Sequence, residues 1–515
     1  MKLSRILQAI EPIAVGGPPS EEITVSGLSY DSRQVRPGEI FFCIKGFATD
    51  GHLYVGEAVA AGAVAIVHSE PVEVPPGIVT IQVADSRRAM GLAGACFYGD
   101  PASRLTVIGV TGTKGKTTTT YLIKAILEAA GSSVGLIGTN QNLIKDRVID
   151  SSRTTPESLD LQRLLADMVK EGCSHAVMEV SSHAVELGRT IGTAFDLGVF
   201  TNISRDHLDF HQTFEHYLAA KTRFFQGLGT QGKRACAVIN TDAAHSGEII
   251  KKTSVPVLTY GIEGNPGVKA RDVVVAPTGV SYQLVTSSGT RSVNMRLTGM
   301  FNVYNSLAAA AAALALNLDL DAIVAGLEGV SGVDGRFEVV DLGQDFVVVV
   351  DYAHSPDSLE NVLQTARALT TGKVIVAFGC GGNRDRGKRP EMGVIAAKLA
   401  DYVVITSDNP RQEDPLAICQ DIEQGVLQVE EPPPYEIVLD RKQGIFRAID
   451  RAQSGDLVLI AGKGHETYQI FGDRSIHFDD REVARAAIAN KERIDNGTDD
   501  PGPDSRAGRS CAGDR

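Results

Sequence analysis

The sequence predicts an α/β protein of three domains built around mostly parallel sheets. Three observations predict it. Short β-branched runs alternate with segments of helical period from residue 105 onward, which is the pattern of a parallel sheet covered by helices. Several of these runs end directly in Gly-rich or charged loops, as strands of such sheets do at their carboxyl ends. The length, 515 residues, divides into three at roughly 150 residues per domain.

The elements follow in order. Residues 1–100 hold short apolar segments at 40–44, 63–68 and 79–83 between Gly/Pro turns, giving a smaller α/β domain. Asp31-Ser32-Arg33 lies in a loop before the first of them. Gly99-Asp100-Pro101 marks a boundary, because proline disfavours continuing regular structure. Residues 101–332 form the central domain. Its strands are expected at 105–110, 133–137, 175–180, 197–201 and 235–239, its β-hairpins at 268–297, and its Ala-rich helix at 302–316. A third, Rossmann-like domain covers 333–490, with strands at 346–351, 373–378, 402–406 and 456–461. The stretch 491–515 has almost no apolar residue and reads as a disordered tail.

Apolar residues make up 43% and charged residues 22%, which excludes collagen-like, disordered and coiled-coil chains. A formal net charge of −13 argues against a nucleic-acid-binding surface but not against small anions, which local basic loops and metal ions capture. Seven cysteines without a CxxC pair argue against a disulfide framework or structural zinc and fit a reducing compartment. The apolar runs at 58–67 and 307–316 fall short of the ~20 residues of a membrane span. The first residues are too weakly apolar for a signal peptide. A cytoplasmic protein is expected.

The clearest motif is Gly109-Val-Thr-Gly112-Thr113-Lys114-Gly115-Lys116-Thr117-Thr118, between a strand and a helix. The strict phosphate-loop pattern asks for glycine where Val110 stands. The physics holds nonetheless: glycines let backbone N–H groups close around phosphates, and the helix N-terminus adds positive potential. Lys116 is placed to reach the terminal phosphates and Thr117 a Mg²⁺. Glu179 ends an apolar strand in Glu179-Val-Ser181-Ser182-His183, where a metal ligand or a surface charge equally belongs. Asp206-His207-Leu-Asp209 follows another strand. Lys221, in an amphipathic segment at 217–225, reads by composition as a solvent-facing lysine. In the third domain, Cys380-Gly-Gly-Asn-Arg384-Asp-Arg386-Gly-Lys388-Arg389 is a basic loop suited to a carboxylate or phosphate. It does not match GxGxxG. Asp408-Asn409-Pro410-Arg411 and Gly462-Lys463-Gly464-His465-Glu466 follow neighbouring strands.

In this succession the chain resembles the Mur ligase family, the ATP-dependent amide-forming enzymes of bacterial cell-wall synthesis. The likeness runs over about residues 25–485. It rests on Gly112–Thr118, Glu179–His183, Asn202 with Asp206–Asp209, Lys221, Gly299 with Asn302 and Asn305, Asp334-Gly335-Arg336, and Asp351-Tyr352-Ala353-His354. Tyr30-Asp31-Ser32-Arg33, Thr154-Thr155-Pro156 and Asp408–Arg411 resemble the branch that adds meso-diaminopimelate.

The resemblance implies a set of roles. ATP would lie on Gly112, Thr113, Lys114, Gly115, Lys116, Thr117, Thr118, Asn305, Arg336, Asp351 and His354. Catalysis would fall to Lys116, Glu179, His207 and Lys221. A UDP-muramoyl-dipeptide would lie on Ser32, Thr154, Thr155, Ser181 and Arg189. Diaminopimelate would lie on Arg384, Asp408, Asn409, Pro410, Arg411, Gly462 and Glu466. Two Mg²⁺ would be held by Thr117, Glu179, His207 and Lys221, the lysine carbamylated by CO₂. The partners implied are these small molecules, for a monomeric enzyme. A related ligase for L-lysine or D-Ala-D-Ala, folylpolyglutamate synthetase, and a nucleotide switch without ligation are the alternatives.

Overall fold

The computed structural model describes residues 1–19, 23–46, 49–149, 151 and 153–495. They fall into two compact units, one of 1–274 and 279–331, the other of 275–278 and the chain from 332 onward.

The first unit contains two sheets. The N-terminal one has five strands in the order Ala14–Gly16, Val79–Gln82, Ala65–His68, Glu39–Phe42 and Gly27–Ser29, with only the first pair antiparallel. Helix Leu3–Ile10, which the strand-based reading does not include, buries Leu3, Ile6 and Ile10 at helical spacing. Ser32 sits in a 3₁₀ turn, Ser32–Gln34, that the Asp31 side chain caps by accepting from Arg33 N.

The second sheet has eleven strands. Its parallel block runs Val257–Gly261, Cys236–Asn240, Leu197–Phe200, Thr106–Thr111, His175–Glu179 and Val134–Ile137. One edge is extended by an antiparallel pair, Asn142–Ile144 and Arg147–Ile149. At the other edge, the region expected to hold hairpins forms three long strands, Val268–Ala276, Gly279–Thr286 and Gly289–Met295. Strand side chains alternate between faces. Val107, Met178, Phe200 and Ile239 pack on helices Ser158–Lys170 and Phe214–Gln226. Helices Lys116–Ala129 and Met300–Ala315 pack against each other and against the sheet strands. The run of alanines from Ala308 to Ala313 is fully buried there, since only small side chains admit so close an approach.

The second unit holds a six-stranded sheet in the order Glu338–Val339, Val347–Asp351, Leu457–Ala461, Val374–Phe378, Tyr402–Thr406 and Tyr435–Val438, parallel apart from the first pair. A small hairpin, Tyr468–Phe471 with Arg474–His477, follows. The last helix, Asp480–Asp495, extends five residues into the stretch expected as tail, because Ala484, Ala487 and Ile488 bury one face of it. Residues 496–515 lie outside the described residues.

Candidate active site

In the first unit the chemistry gathers where strand Thr106–Thr111 passes into helix Lys116–Ala129. Gly115, at φ +83°, makes that turn, and a Cβ there would lie 2.3 Å from Asn305 Oδ1. Asn305 therefore closes one side of the loop, held in turn by its own Nδ2, which donates to Asn302 Oδ1 at 3.0 Å. Asn202 holds the other side: its Oδ1 accepts Lys114 N and its Nδ2 donates to Lys114 O. Thr113 Oγ1 lies 2.8 Å from Tyr217 Oη. Lys116 folds back onto the loop and donates to Gly112 O and Thr113 O, both at 3.0 Å.

Lys221 donates to that same Gly112 carbonyl at 2.7 Å. It is 1% exposed, so the surface reading from composition is wrong. The missed signal is periodic: Tyr217, Lys221, Phe224 and Phe225 form one buried stripe of the helix. Burial, with Lys116 as a second cause, holds its amine well below the usual lysine range. Its ammonium lies over the Tyr217 ring, 4.7 Å from the centroid, and it makes no ion pair among the described residues.

Glu179 is likewise buried, at 1% exposure, so it is not a surface charge. Its Oε1 accepts from Thr117 Oγ1 at 3.0 Å and Thr139 N at 2.8 Å, and its Oε2 from Thr139 Oγ1 at 3.1 Å. Thr139 Oγ1 also lies 3.0 Å from Thr154 Oγ1, from which it can accept while its own proton is on Glu179. Thr155 Oγ1 donates to Glu179 O and accepts Ser181 N. Arg189 donates to Thr155 O at 3.3 Å and pairs with Glu157 at 3.0 Å, while its buried Nε has no partner among the described residues. An unfilled guanidinium donor beside Thr155 and Ser181 suits an anionic ligand. Glu157, absent from the sequence-based site, accepts from Arg87, Arg153 and Arg189.

His207 adopts a left-handed backbone, φ +54°, uncommon for a non-glycine residue and frequent at functional sites. Its ring meets that of His183, centroids 4.9 Å apart. Burial pushes both imidazoles down, His183 to about 4, so both are neutral at physiological pH. Thr117 and Glu179 supply the hard oxygen donors that Mg²⁺ takes. Lys221 fits such a set only as an anion. Glu179 and His207 do not close on a cation with a third ligand. The group of three that does, among the described residues, is Asp50, His52 and Glu70. There both His52 nitrogens are used: Nδ1 on Asp50 at 2.6 Å and Nε2 on the N–H of Glu70 at 3.3 Å. Ser32 lies apart from the phosphate loop on the N-terminal sheet and donates to Glu57 at 3.1 Å.

In the second unit three parallel neighbours, Leu457–Ala461, Val374–Phe378 and Tyr402–Thr406, deliver their carboxyl-end loops together. Gly382 N donates to Asn409 O at 2.9 Å. A Cβ on Gly462, φ +119°, would lie 2.8 Å from Asp408 Oδ2. Arg411, φ +54°, is pinned by backbone bonds to the hairpin, Arg411 N to Ile470 O and Gly472 N to Arg411 O. Its Nη1 donates to Gly382 O at 2.9 Å, and its other nitrogens have no hydrogen bond among the described residues. Arg384 is exposed, with no hydrogen bond or ion pair among the described residues, and both arginines flank Gly381. The basic loop is less available than its composition suggests, because Arg386 and the buried Arg389 pair with Glu413. Asn409 and Glu466 are joined at 2.9 Å. Near the start of the unit, Arg336 lies over the Tyr352 ring, Phe337 N donates to Asp351 Oδ2 at 2.7 Å, and the His354 ring bonds Tyr352 O at 2.8 Å.

Residues 24–95 match the description "Mur ligase family, catalytic domain", 110–313 "Mur ligase middle domain" and 335–464 "Mur ligase, glutamate ligase domain". The chain is 49% identical to UDP-N-acetylmuramoyl-L-alanyl-D-glutamate–2,6-diaminopimelate ligase of Geobacillus thermodenitrificans, over 96% of this chain and 100% of that one. It is 46% identical to the enzyme of that name from Bacillus licheniformis, over 95% and 99%. A solved structure of a ligase of that name superposes with TM-score 0.68 at 35% identity, covering 94% of this chain and 99% of the other. MurF of Acinetobacter baumannii, at 21% identity, shares the fold with TM-score 0.64.

Proposed function

The chain belongs to the Mur ligase family, and on that premise we propose that it joins meso-2,6-diaminopimelate to the D-Glu carboxylate of UDP-N-acetylmuramoyl-L-alanyl-D-glutamate, an ATP-dependent step of peptidoglycan precursor synthesis. The observation that carries the choice of amino acid is Arg411. Its guanidinium is anchored by one nitrogen and open at the others beside Arg384. Diaminopimelate has a distal carboxylate that lysine lacks, and a fixed planar fork pairs with it bidentately.

In the reaction a D-Glu carboxylate oxygen attacks the γ-phosphorus of ATP. ADP leaves and an acyl phosphate forms. The amine of diaminopimelate then attacks the acyl carbon, phosphate departs with the bonding pair, and the amine proton is lost to a base. Attack of one anion on another needs its charge neutralised. Backbone N–H groups of 113–118 and Lys116 supply part of this, Lys116 exchanging its two carbonyl partners for phosphate oxygens. Arg189, through its open Nε, with Thr155 and Ser181, orients the muramoyl-peptide, and Ser32 takes the UDP part. Bound Mg²⁺, held by Thr117 and Glu179, would neutralise phosphate charge. A second ion would use Glu179, His207 and a carbamate on Lys221, which would form when the neutral lysine nitrogen attacks CO₂ and gives up a proton. Asn305, Arg336, Asp351 and His354 serve the nucleotide. Arg384, Asp408–Arg411, Gly462 and Glu466 hold the amino acid. The same reading makes the enzyme a cytoplasmic monomer.

The test is phosphate release from ATP with the UDP-dipeptide, adding meso-diaminopimelate, L-lysine or D-Ala-D-Ala in turn. Release with meso-diaminopimelate alone is expected. Release with none of them would sink the ligase reading.

A further inference from the structure

Lys463 has no solvent exposure, although it lies in a loop, Gly462–Glu466, that follows strand Leu457–Ala461. Burying a lysine is costly unless its ammonium is fully engaged. Here it donates to Asn409 Oδ1 at 3.2 Å and to Glu466 Oε2 at 3.0 Å, and lies over the Tyr468 ring, 5.3 Å from the centroid. None of these partners is a backbone carbonyl. The neighbouring buried cation behaves differently. Arg441 pairs with Asp480, both with no exposure, and donates to Ser407 O and Ala461 O, bracing the backbone where two of the loops begin. Arg441 thus supplies the structural tie, and the ammonium of Lys463 is directed at side chains alone.

Those side chains form a closed set. Asn409 Oδ1 accepts from Lys463 and from Ile470 N, which fixes the amide orientation so that its Nδ2 donates to Glu466 Oε2 at 2.9 Å. Glu466 Oε2 therefore receives two donors, and Oε1 receives none among the described residues. We infer that Lys463 is a positioning residue of the amino-acid site, holding Glu466 so that Oε1 is presented to an ammonium group of the diamino acid. The inference rests on the proposed function, which places Glu466 and Asn409 at that site. Without Lys463 the carboxylate is free to rotate or to hydrate, and Asn409 loses one of the two donors that set its amide.

The experiment uses the full chain and steady-state phosphate release, with each of the three substrates varied in turn. Lys463→Met keeps the length and removes the donors. It is expected to raise KM for meso-diaminopimelate about tenfold or more, the scale of one lost charge-assisted bond, with KM for ATP and the UDP-dipeptide within about twofold. Glu466→Gln is expected to act on the same constant. The double variant is expected to cost little more than either single change, as residues acting through one another do. Unmoved amino-acid KM, an equal rise in all three constants, or additive effects would overturn the role of Lys463. If the methionine variant does not fold, Lys463→Arg carries the same test: a rise confined to the amino-acid KM supports the role, and constants all unchanged overturn it. Wild-type turnover without dependence on the amino acid would overturn the functional reading and this one with it.

Discussion

Replacing Arg411 by alanine isolates one guanidinium. The residue keeps a Cβ at φ +54°, so the backbone cost of the left-handed conformation is the same before and after. The bonds that pin its main chain to the hairpin involve only backbone atoms, so the loop retains its path. What disappears is the side chain, anchored on Gly382 O at 2.9 Å with its remaining nitrogens open. A bidentate bond to a carboxylate at a half-buried position is worth about 1.5–3 kcal/mol, or a factor of roughly 10–150. That factor should appear in kcat/KM for meso-diaminopimelate. It should not appear for L-lysine, which has no carboxylate there, so discrimination between the two should fall by the same factor. Arg411→Gly serves as a control, because glycine also relieves the positive φ, and it should match the alanine variant. Phosphate release at saturating ATP and UDP-dipeptide measures each constant. Equal losses for the two amino acids, or none for meso-diaminopimelate, would refute the reasoning.

Other outcomes follow from the same geometry. Lys221→Met should abolish turnover yet stabilise the first unit by about 1–3 kcal/mol, the range found when buried charge gives way to apolar volume. Gly112 O keeps Lys116 as a donor, and denaturant titration in CO₂-free buffer that showed destabilisation would count against a strained ammonium. Gly115→Ala should lose nucleotide binding, because its Cβ would lie 2.3 Å from Asn305 Oδ1 at φ +83°; calorimetry with ATP and unchanged affinity would contradict the closed loop. Acid should weaken both units. His183 and His465 are pushed by burial to about 4 and about 3, below the ~6.5 of an unfolded chain. The unfolded state then binds more protons, so stability is full above pH 6.5 and declines as pH falls toward those values. His465→Asn should flatten the decline for the second unit, and an unchanged slope would remove that histidine from the account.

Much of the site was legible because glycine and charge at strand ends have few other uses. The run Gly112–Thr118 announces a strand-to-helix phosphate loop from residue type alone, and Asp408–Arg411 with Gly462–Glu466 mark neighbouring strand ends. Helix Leu3–Ile10 escapes the sequence reading because it is barely two turns long, too short for the apolar period of Leu3, Ile6, Leu7 and Ile10 to stand out. Lys221 was misread because composition places lysines outside, whereas period places this one between Tyr217 and Phe225. Glu157 and Arg87 are 70 residues apart in sequence, and no local pattern announces their pairing. The same holds for Arg386 and Arg389, whose charge reads in sequence as a ligand grip but is taken up by Glu413.

That last case separates two kinds of buried or half-buried cation. Arg389, Arg441 and Arg481 have carboxylate partners within 3.2 Å, so their charge is neutralised and they serve to brace loops. Arg411 instead rests on the backbone carbonyl of Gly382. A carbonyl satisfies a donor without cancelling a unit charge, so the field of the cation remains available to an incoming anion, and the low polarity around it strengthens that field. By this criterion Lys463, paired with Glu466, orients its neighbours, whereas Arg411 meets the ligand. A protein with net charge −13 can bind substrates made of phosphates and carboxylates because a few cations are kept off its many carboxylates at the ends of parallel strands.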